Sequence, residues 1–218
     1  MVNMNTKTIL IAEDHPLVVK GIQQIIKTLY SDIEFLVTDS CHGYMKLLNQ
    51  KQPAYCIVDL NLVDGFSFAS IENTLKLYPE TNLFVYSSLP GEVYAKRLFN
   101  IGVHGFINKK ANEAELTLGL TKFLNDEFYI SPELLPLVLN NTANSSISKP
   151  NPFDLLSSQE LIIVEYLKEC ESIKSISEKM SIMPNTAATY KKRAFQKLEI
   201  ENIIQLNNLY QTFAVKKD

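Results

Sequence analysis

The 218-residue chain is poor in several features that would narrow its class quickly. No apolar stretch approaches the roughly 20 residues needed to span a bilayer, so no membrane partner is expected. The first residues, MVNMNTKTIL, lack the basic and long apolar regions of a secretory leader. Cysteine is scarce. Cys41, Cys56 and Cys170 are odd in number and have no metal-ligand spacing, which argues against a disulfide scaffold and fits a reducing cytoplasm. A dominant charge is missing too: 21 Lys and Arg stand against 24 Asp and Glu, a formal net charge of −3. Residues 1–130 hold 11 basic and 14 acidic groups, and residues 153–218 hold 9 of each. Nucleic-acid binding must therefore rest on a local patch.

What is present is a regular alternation. Strand-like runs at 8–13, 33–38, 54–59, 82–87 and 105–108 are separated by helix-like runs at 16–29, 42–50, 66–78, 92–101 and 112–125. Five βα units in one stretch predict an α/β domain, a doubly wound parallel sheet with helices on both faces. The central strands are continuous in Val, Ile, Leu, Phe and Tyr, as burial on both faces requires. Pro16 opens the first helix, where its missing N–H costs nothing. The segment NNTANSSISKPNP (140–152) has no apolar period and reads as a linker. The domain plan is 1–128, a connecting segment 129–152, and 153–218. The last part has no strand pattern. Its four helical runs begin at Ser157 or Ser158, at 172, near Pro184 and at 203, and the second and third form a helix-turn-helix. This predicts a small all-α four-helix domain.

The strand ends carry the chemistry. TILIA (8–12) runs into Glu13 and Asp14, AYCIVDL ends around Asp59, NLFVY ends in Ser87 and Ser88, and GFIN ends at Lys109. In an open α/β sheet, sites form at the carboxyl ends of the strands. Three carboxylates gathered there suit a hard cation such as Mg²⁺, which takes oxygen ligands and keeps waters. A carboxylate can also act as a nucleophile and form an aspartyl phosphate. An amine and a metal would then stabilise the equatorial oxygens of the transferring group. A lone strand-end Asp is more often a helix cap or a solvated loop residue, so the weight rests on the constellation. His15 looks like a metal ligand, but a helix-entry role is favoured. His42 and His104 read as isolated surface residues.

At this point a family is legible. EDHPLVVKGI, IVDLNLVDG, VYSS and GVHGFINKKA resemble the receiver domain of two-component response regulators. SSQE and IKSISEKMSIMPNTAATYKKRAFQKL resemble the LuxR-type helix-turn-helix of the NarL/FixJ subfamily. The resemblance implies that Asp59 is the phosphoacceptor and that Glu13, Asp14 and Asp59, with the backbone carbonyl of Asn61, hold Mg²⁺. It further implies that Ser87 is the switch hydroxyl, Phe106 the switch aromatic and Lys109 the phosphate-binding lysine. Val63 stands where a proline is usual. The implied partners are a sensor histidine kinase, promoter DNA and a second copy of the chain on activation. The implied role is regulatory, not enzymatic.

For the third helix of the output domain, the 3.6-residue period puts Asn185, Ala188, Thr189, Lys192 and Gln196 on one face. Ala187, Ala194 and Leu198 fall on the other. Lys191, Lys192, Arg193 and Lys197 form a basic stripe suited to phosphates, and Thr186 belongs to the same helix start. The family usually has Thr-Val-Lys where Thr186, Ala187 and Ala188 stand here, and glycine where Cys170 stands. An alternative reading follows: a receiver whose degenerate helical domain binds a protein instead of DNA. A metal-dependent phosphatase could use the same acids, but no residues for a substrate pocket are evident.

Overall fold

The computed structural model describes residues 7–62, 64, 68–139, 151–180 and 182–214. Val63 and Gly65, most of the expected linker (140–150) and Val215 lie outside the described residues. The chain forms two compact units, the first ending at Leu139 and the second comprising the residues after it together with Glu92–Tyr94.

In the first unit, β1 (Lys7–Ala12), β2 (Ile33–Thr38), β3 (Tyr55–Val58), β4 (Asn82–Ser87), β5 (Gly105–Asn108) and β6 (Tyr129–Ile130) make one sheet. Its order is β2-β1-β3-β4-β5-β6, and every pairing is parallel. Helices α1 (Pro16–Leu29), α2 (Cys41–Lys51), α3 (Phe68–Leu77), α4 (Gly91–Asn100) and α5 (Glu113–Leu124) alternate with the strands. One core joins Ile9, Ile11, Ile57, Phe84 and Ile107 of the sheet to Ile22 and Ile26 of α1 and Leu120 and Phe123 of α5. The alternate residues Leu10, Cys56, Val58 and Val85 are also fully buried, and the two-residue strand period turns them to the opposite face. Both faces are therefore covered, which is why the strands lack a polar alternation. Gly105 is fixed by packing: a Cβ there would sit 2.3 Å from Cδ2 of Phe84.

Residues 129–139, assigned to the connecting segment by sequence, carry ordered elements. β6 pairs Tyr129 with Gly105 and Ile130 with Phe106, and α6 (Leu135–Leu139) follows. Two residues are too few to show a period, so β6 leaves no sequence signal.

The second unit holds a 3-10 turn (Pro152–Leu155), α7 (Ser158–Lys168), α8 (Ile173–Lys179), α9 (Pro184–Lys197) and α10 (Ile203–Ala214). Ser157 caps α7 through a reciprocal box with Glu160, and Ser172 caps α8. Leu161, Val164 and Leu167 of α7, Ile176 of α8, Ala187 and Ala194 of α9 and Leu206 of α10 are buried. Cys170, just past α7, has φ +61°, a left-handed backbone. That geometry is why a glycine would suit the position better. No described helix is long and apolar enough to cross a membrane.

Candidate functional site

The strand order reverses direction between β1 and β3, and the acids sit at that point. Backbone hydrogen bonds carry the ladder one residue past the strands: Glu13 N–H to Thr38 O (2.9 Å), Asp59 N–H to Ala12 O (2.9 Å) and Lys109 N–H to Ser87 O (2.9 Å). These bonds place Glu13, Asp59 and Lys109 side by side at the carboxyl edge of the sheet. Asp59 is only 2% exposed. Its Oδ2 lies 2.7 Å from Lys109 Nζ, and its Oδ1 accepts the Asn61 N–H at 3.1 Å. Lys109 Nζ also lies 2.6 Å from Oε2 of Glu13. Burial alone would lower the Lys109 pKa, but the carboxylates of Asp59 and Glu13 outweigh it and hold the ammonium above the ordinary lysine value.

His15 has a more specific place than helix entry alone. It is the N-cap of α1 but makes no side-chain cap, and its ring is 66% exposed. Nδ1 is 2.7 Å from Oε1 of Glu13 and 2.7 Å from Oδ1 of Asp14. One ring nitrogen carries at most one hydrogen, and the hydrogen-bond geometry favours Glu13. The hydrogen bond to Glu13 first, and the charge of Asp14 second, raise the His15 pKa. Oδ1 of Asp14 is left buried without a hydrogen-bond partner. One ligand atom from each of Glu13, Asp14, His15 and Asp59 lies within 4.8 Å of the others. Three carboxylates face one lysine, and a buried carboxylate oxygen is orphaned, so the donor set fits a divalent oxygen-seeking cation.

Ser87 is fully buried, and its Oγ accepts the Leu89 N–H at a long 3.5 Å. Phe106 is 0% exposed. Its ring packs at the start of α4, where a Cβ on Gly91 would lie 2.9 Å from Phe106 Cε1 and 2.5 Å from Leu134 Cδ1. Sequence reasoning missed three contacts of this edge. Asn61 Nδ2 reaches Ser88 Oγ (3.3 Å), Asn108 Nδ2 reaches Leu89 O (2.7 Å), and the Asp64 carboxylate caps α2 through the N–H groups of Cys41 (2.6 Å) and His42 (3.0 Å). No spacing rule foretells such side-chain bonds between distant loops. His104 is not isolated: its ring stacks on Phe128 with centroids 5.0 Å apart.

In the second unit, Asn185, Ala188, Thr189, Lys192, Arg193 and Gln196 are exposed on α9, while Thr186 and Lys191 are half-buried. Ala187, Ala194, Phe195 and Leu198 are buried. The helical period assigned this division correctly apart from Phe195, which it left unplaced. Two of the four basic residues have other engagements. Lys197 Nζ lies 2.6 Å from Oε2 of buried Glu160, and Lys191 Nζ lies 5.4 Å from the centroid of the Phe195 ring.

Burial would raise the Glu160 pKa, but Lys197 and the Ser157 hydrogen bonds outweigh it and lower it. A carboxylate with a depressed folded pKa contributes stability above its unfolded pKa, and that stability is lost as pH falls through the folded value. The urea midpoint of the α7 and α9 amide signals should therefore drop as pH falls below about 4, near the ordinary glutamate value. Glu160→Gln should remove that component of the pH dependence, and Glu160→Ala should cost about 1 kcal/mol at neutral pH through the lost hydrogen bond from the Ser157 N–H to its carboxylate. The partly exposed Lys197 adds little to this figure because solvent screens it.

Comparison with known proteins agrees with this geometry. Residues 9–121 match the response regulator receiver domain, and residues 154–209 match the luxR family of bacterial regulatory proteins. The chain belongs to the response regulator family, with a receiver domain followed by a LuxR-type domain. Response regulator GacA of Pseudomonas viridiflava is 25% identical over 202 residues, covering 91% of this chain and 92% of the relative. The DNA-binding transcriptional activator EvgA of Escherichia coli K12 is 26% identical over 204 residues, covering 93% and 96%. Among solved structures, RcsB from Salmonella enterica serovar Typhimurium, bound to promoter P1flhDC in the presence of phosphomimetic BeF3−, superposes with a TM-score of 0.72. It is 19% identical over 95% of this chain and 100% of that one, a likeness of fold.

Proposed function

We propose that this chain is a cytoplasmic transcriptional regulator switched by phosphorylation of Asp59, with residues 1–128 as receiver, 129–152 as connection and 153–218 as DNA-binding output. The observation that carries this reading is the buried Asp59 carboxylate, paired with Lys109 and flanked by the oxygens of Glu13 and Asp14. Glu13, Asp14, Asp59 and the Asn61 carbonyl would hold Mg²⁺. When bound, the ion supplies neutralisation of the charge that develops on the transferring phosphoryl group.

Asp59 attacks the phosphorus of a phosphohistidine on a partner kinase. The P–N bond breaks, a P–O bond forms to the Asp59 carboxylate, and the imidazole leaves with a proton. Lys109 then moves its contact from the carboxylate to the phosphoryl oxygens. Ser87 turns its hydroxyl to another of them, and Phe106 follows into the space behind. The α4–β5–α5 face changes with it, which is a population shift of a two-state receiver. The chain is modified once and returns by hydrolysis, so its role is regulatory rather than catalytic turnover.

Binding to promoter DNA is supported by the LuxR-family match and by the promoter-bound RcsB of similar fold, and pairing on DNA by a structure of two RcsB dimers bound to two parallel DNAs. Two copies double the few phosphate contacts that one α9 can make. Phosphorylated protein should sediment as more dimeric and bind DNA more tightly than the unmodified form. Lys109→Ala should keep the fold yet break this coupling, because the new charge loses the cation that senses it. Sedimentation and DNA titration of phosphorylated Lys109→Ala test this directly, and parent-like switching in the variant would remove Lys109 from the mechanism. The uncharged Ala188 on the exposed face of α9, together with the engaged Lys197, favours a second reading in which the output unit binds a protein.

A further inference from the structure

We infer that the Asn108 carboxamide is a latch that holds the Ser87–Leu89 segment in its resting position, making Asn108 a positioning residue for the phosphoryl switch. The inference rests on the reading of Asp59 as phosphoacceptor. Asn108 is the last residue of β5 and directly precedes Lys109. Its Oδ1 accepts the Lys110 N–H at 2.9 Å, and its Nδ2 donates to the Leu89 carbonyl at 2.7 Å. The amide orientation is fixed from both sides, because a backbone N–H can only donate and a carbonyl can only accept.

Apart from the backbone bond from Lys109 N–H to Ser87 O, the other ties on the segment are longer side-chain contacts. Ser88 Oγ is 3.3 Å from Asn61 Nδ2, and Ser87 Oγ is 3.5 Å from the Leu89 N–H. The Asn108 bond is therefore the firm side-chain anchor of these three residues. Leu89 is buried. Ser87 Oγ accepts the Leu89 N–H at a long 3.5 Å, a contact that a swing of the side chain toward a phosphoryl group on Asp59 would stretch further. In the switch inferred here, the Leu89 peptide, released from Ser87, turns away from Asn108. A bond made in the resting state and lost in the active one sets the equilibrium between them.

Removing the latch leaves the Leu89 carbonyl unpaired in the resting state alone. One such hydrogen bond corresponds to roughly a threefold to tenfold gain in affinity for a phosphoryl analogue. The test is a titration of the full chain with beryllofluoride in the presence of Mg²⁺, followed by amide NMR. Asn108→Ser keeps a hydroxyl that can receive the Lys110 N–H but cannot reach Leu89. Asn108→Asp keeps the shape and the same turn, sets an oxygen against the Leu89 carbonyl, and carries the test if the serine variant does not fold.

Both variants should bind beryllofluoride more tightly than the parent, the Asp variant despite its added negative charge. Before any ligand is added, the Ser88 and Leu89 amides should already be displaced along the line joining the free and bound parent positions. A merely structural role would move these signals off that line. Unchanged or weakened binding in a folded variant overturns the latch alone. If the parent fails to respond, or Asp59→Asn responds like the parent, the phosphoacceptor reading falls and takes the latch with it.

Discussion

Asp59→Asn will take up no phosphate from a small acyl phosphate or from a partner kinase, while the parent gains one base-labile phosphate. The effect is all-or-none because no neighbouring carboxylate is free to substitute. Glu13 has Oε2 against Lys109 at 2.6 Å and Oε1 against His15 at 2.7 Å, and it is buried. Asp14 Oδ1 lies 2.7 Å from His15 Nδ1 and is buried without a hydrogen-bond partner, and in the proposed mechanism it serves the metal rather than the phosphoryl group. The asparagine oxygen can still receive the Asn61 N–H, its amide nitrogen replaces the oxygen that met Lys109, and the ammonium keeps Glu13, so the sheet edge should hold its shape. Loss of labelling then reports the missing nucleophile. Chelation of the divalent ion should abolish labelling of the parent as well, since three carboxylates and one lysine leave the phosphoryl group facing net negative charge. Intact mass with and without hydroxylamine reads both. Label retained in the variant would mean that another residue is the acceptor.

The strands and helices of the receiver were legible because burial on both faces writes an unmistakable pattern. Continuous apolar runs such as YCIV and NLFVY alternate with helical runs of amphipathic period. Sequence placed β1 to β5 within a residue for the same reason that it placed the acids: the residue after an apolar run sits at the sheet edge whatever the details of packing. The same logic fails for β6, whose two residues gain their pairing from β5 and carry no period of their own. It fails also for contacts that depend on loop geometry. Asn61, Asp64 and Asn108 are polar residues in or beside turns. Which group each one meets follows from how separate loops converge. Lys197 shows a further limit. The sequence sets it in a basic stripe suited to phosphates, but its partner Glu160 lies 37 residues earlier on α7, and only the packed unit reveals that the charge is already matched.

That match sets the size of the effect expected at DNA. With Lys197 held by Glu160, the basic residues of α9 available to phosphates are Lys192, Arg193 and, once drawn off the Phe195 ring, Lys191, at most six contacts in a dimer. Each contact contributes about −0.9 to the log–log dependence of affinity on salt, so the slope should be no steeper than about −5. Lys192→Ala should flatten it by about 2 in a dimer and weaken every sequence alike, on the order of tens of fold near 0.1 M salt. Lys197→Ala should leave the slope almost unchanged, which separates the paired lysine from the exposed one on the same helix. Ala188→Lys should steepen the slope by about 2 and raise affinity, because residue 188 lies on the exposed face near the helix start. Sequence preference should answer instead to Asn185 and Thr189. The Thr189 hydroxyl donates to the Asn185 carbonyl at 2.8 Å, so its oxygen remains as an acceptor for an exocyclic amine of cytosine or adenine. Asn185 has both a donor and an acceptor to offer, as adenine recognition needs. Titrations of promoter and random duplexes at several salt concentrations check all of these together. A salt-independent interaction, or indifference to both Lys192→Ala and Ala188→Lys, would turn the output unit from a DNA-binding module into a protein-binding one.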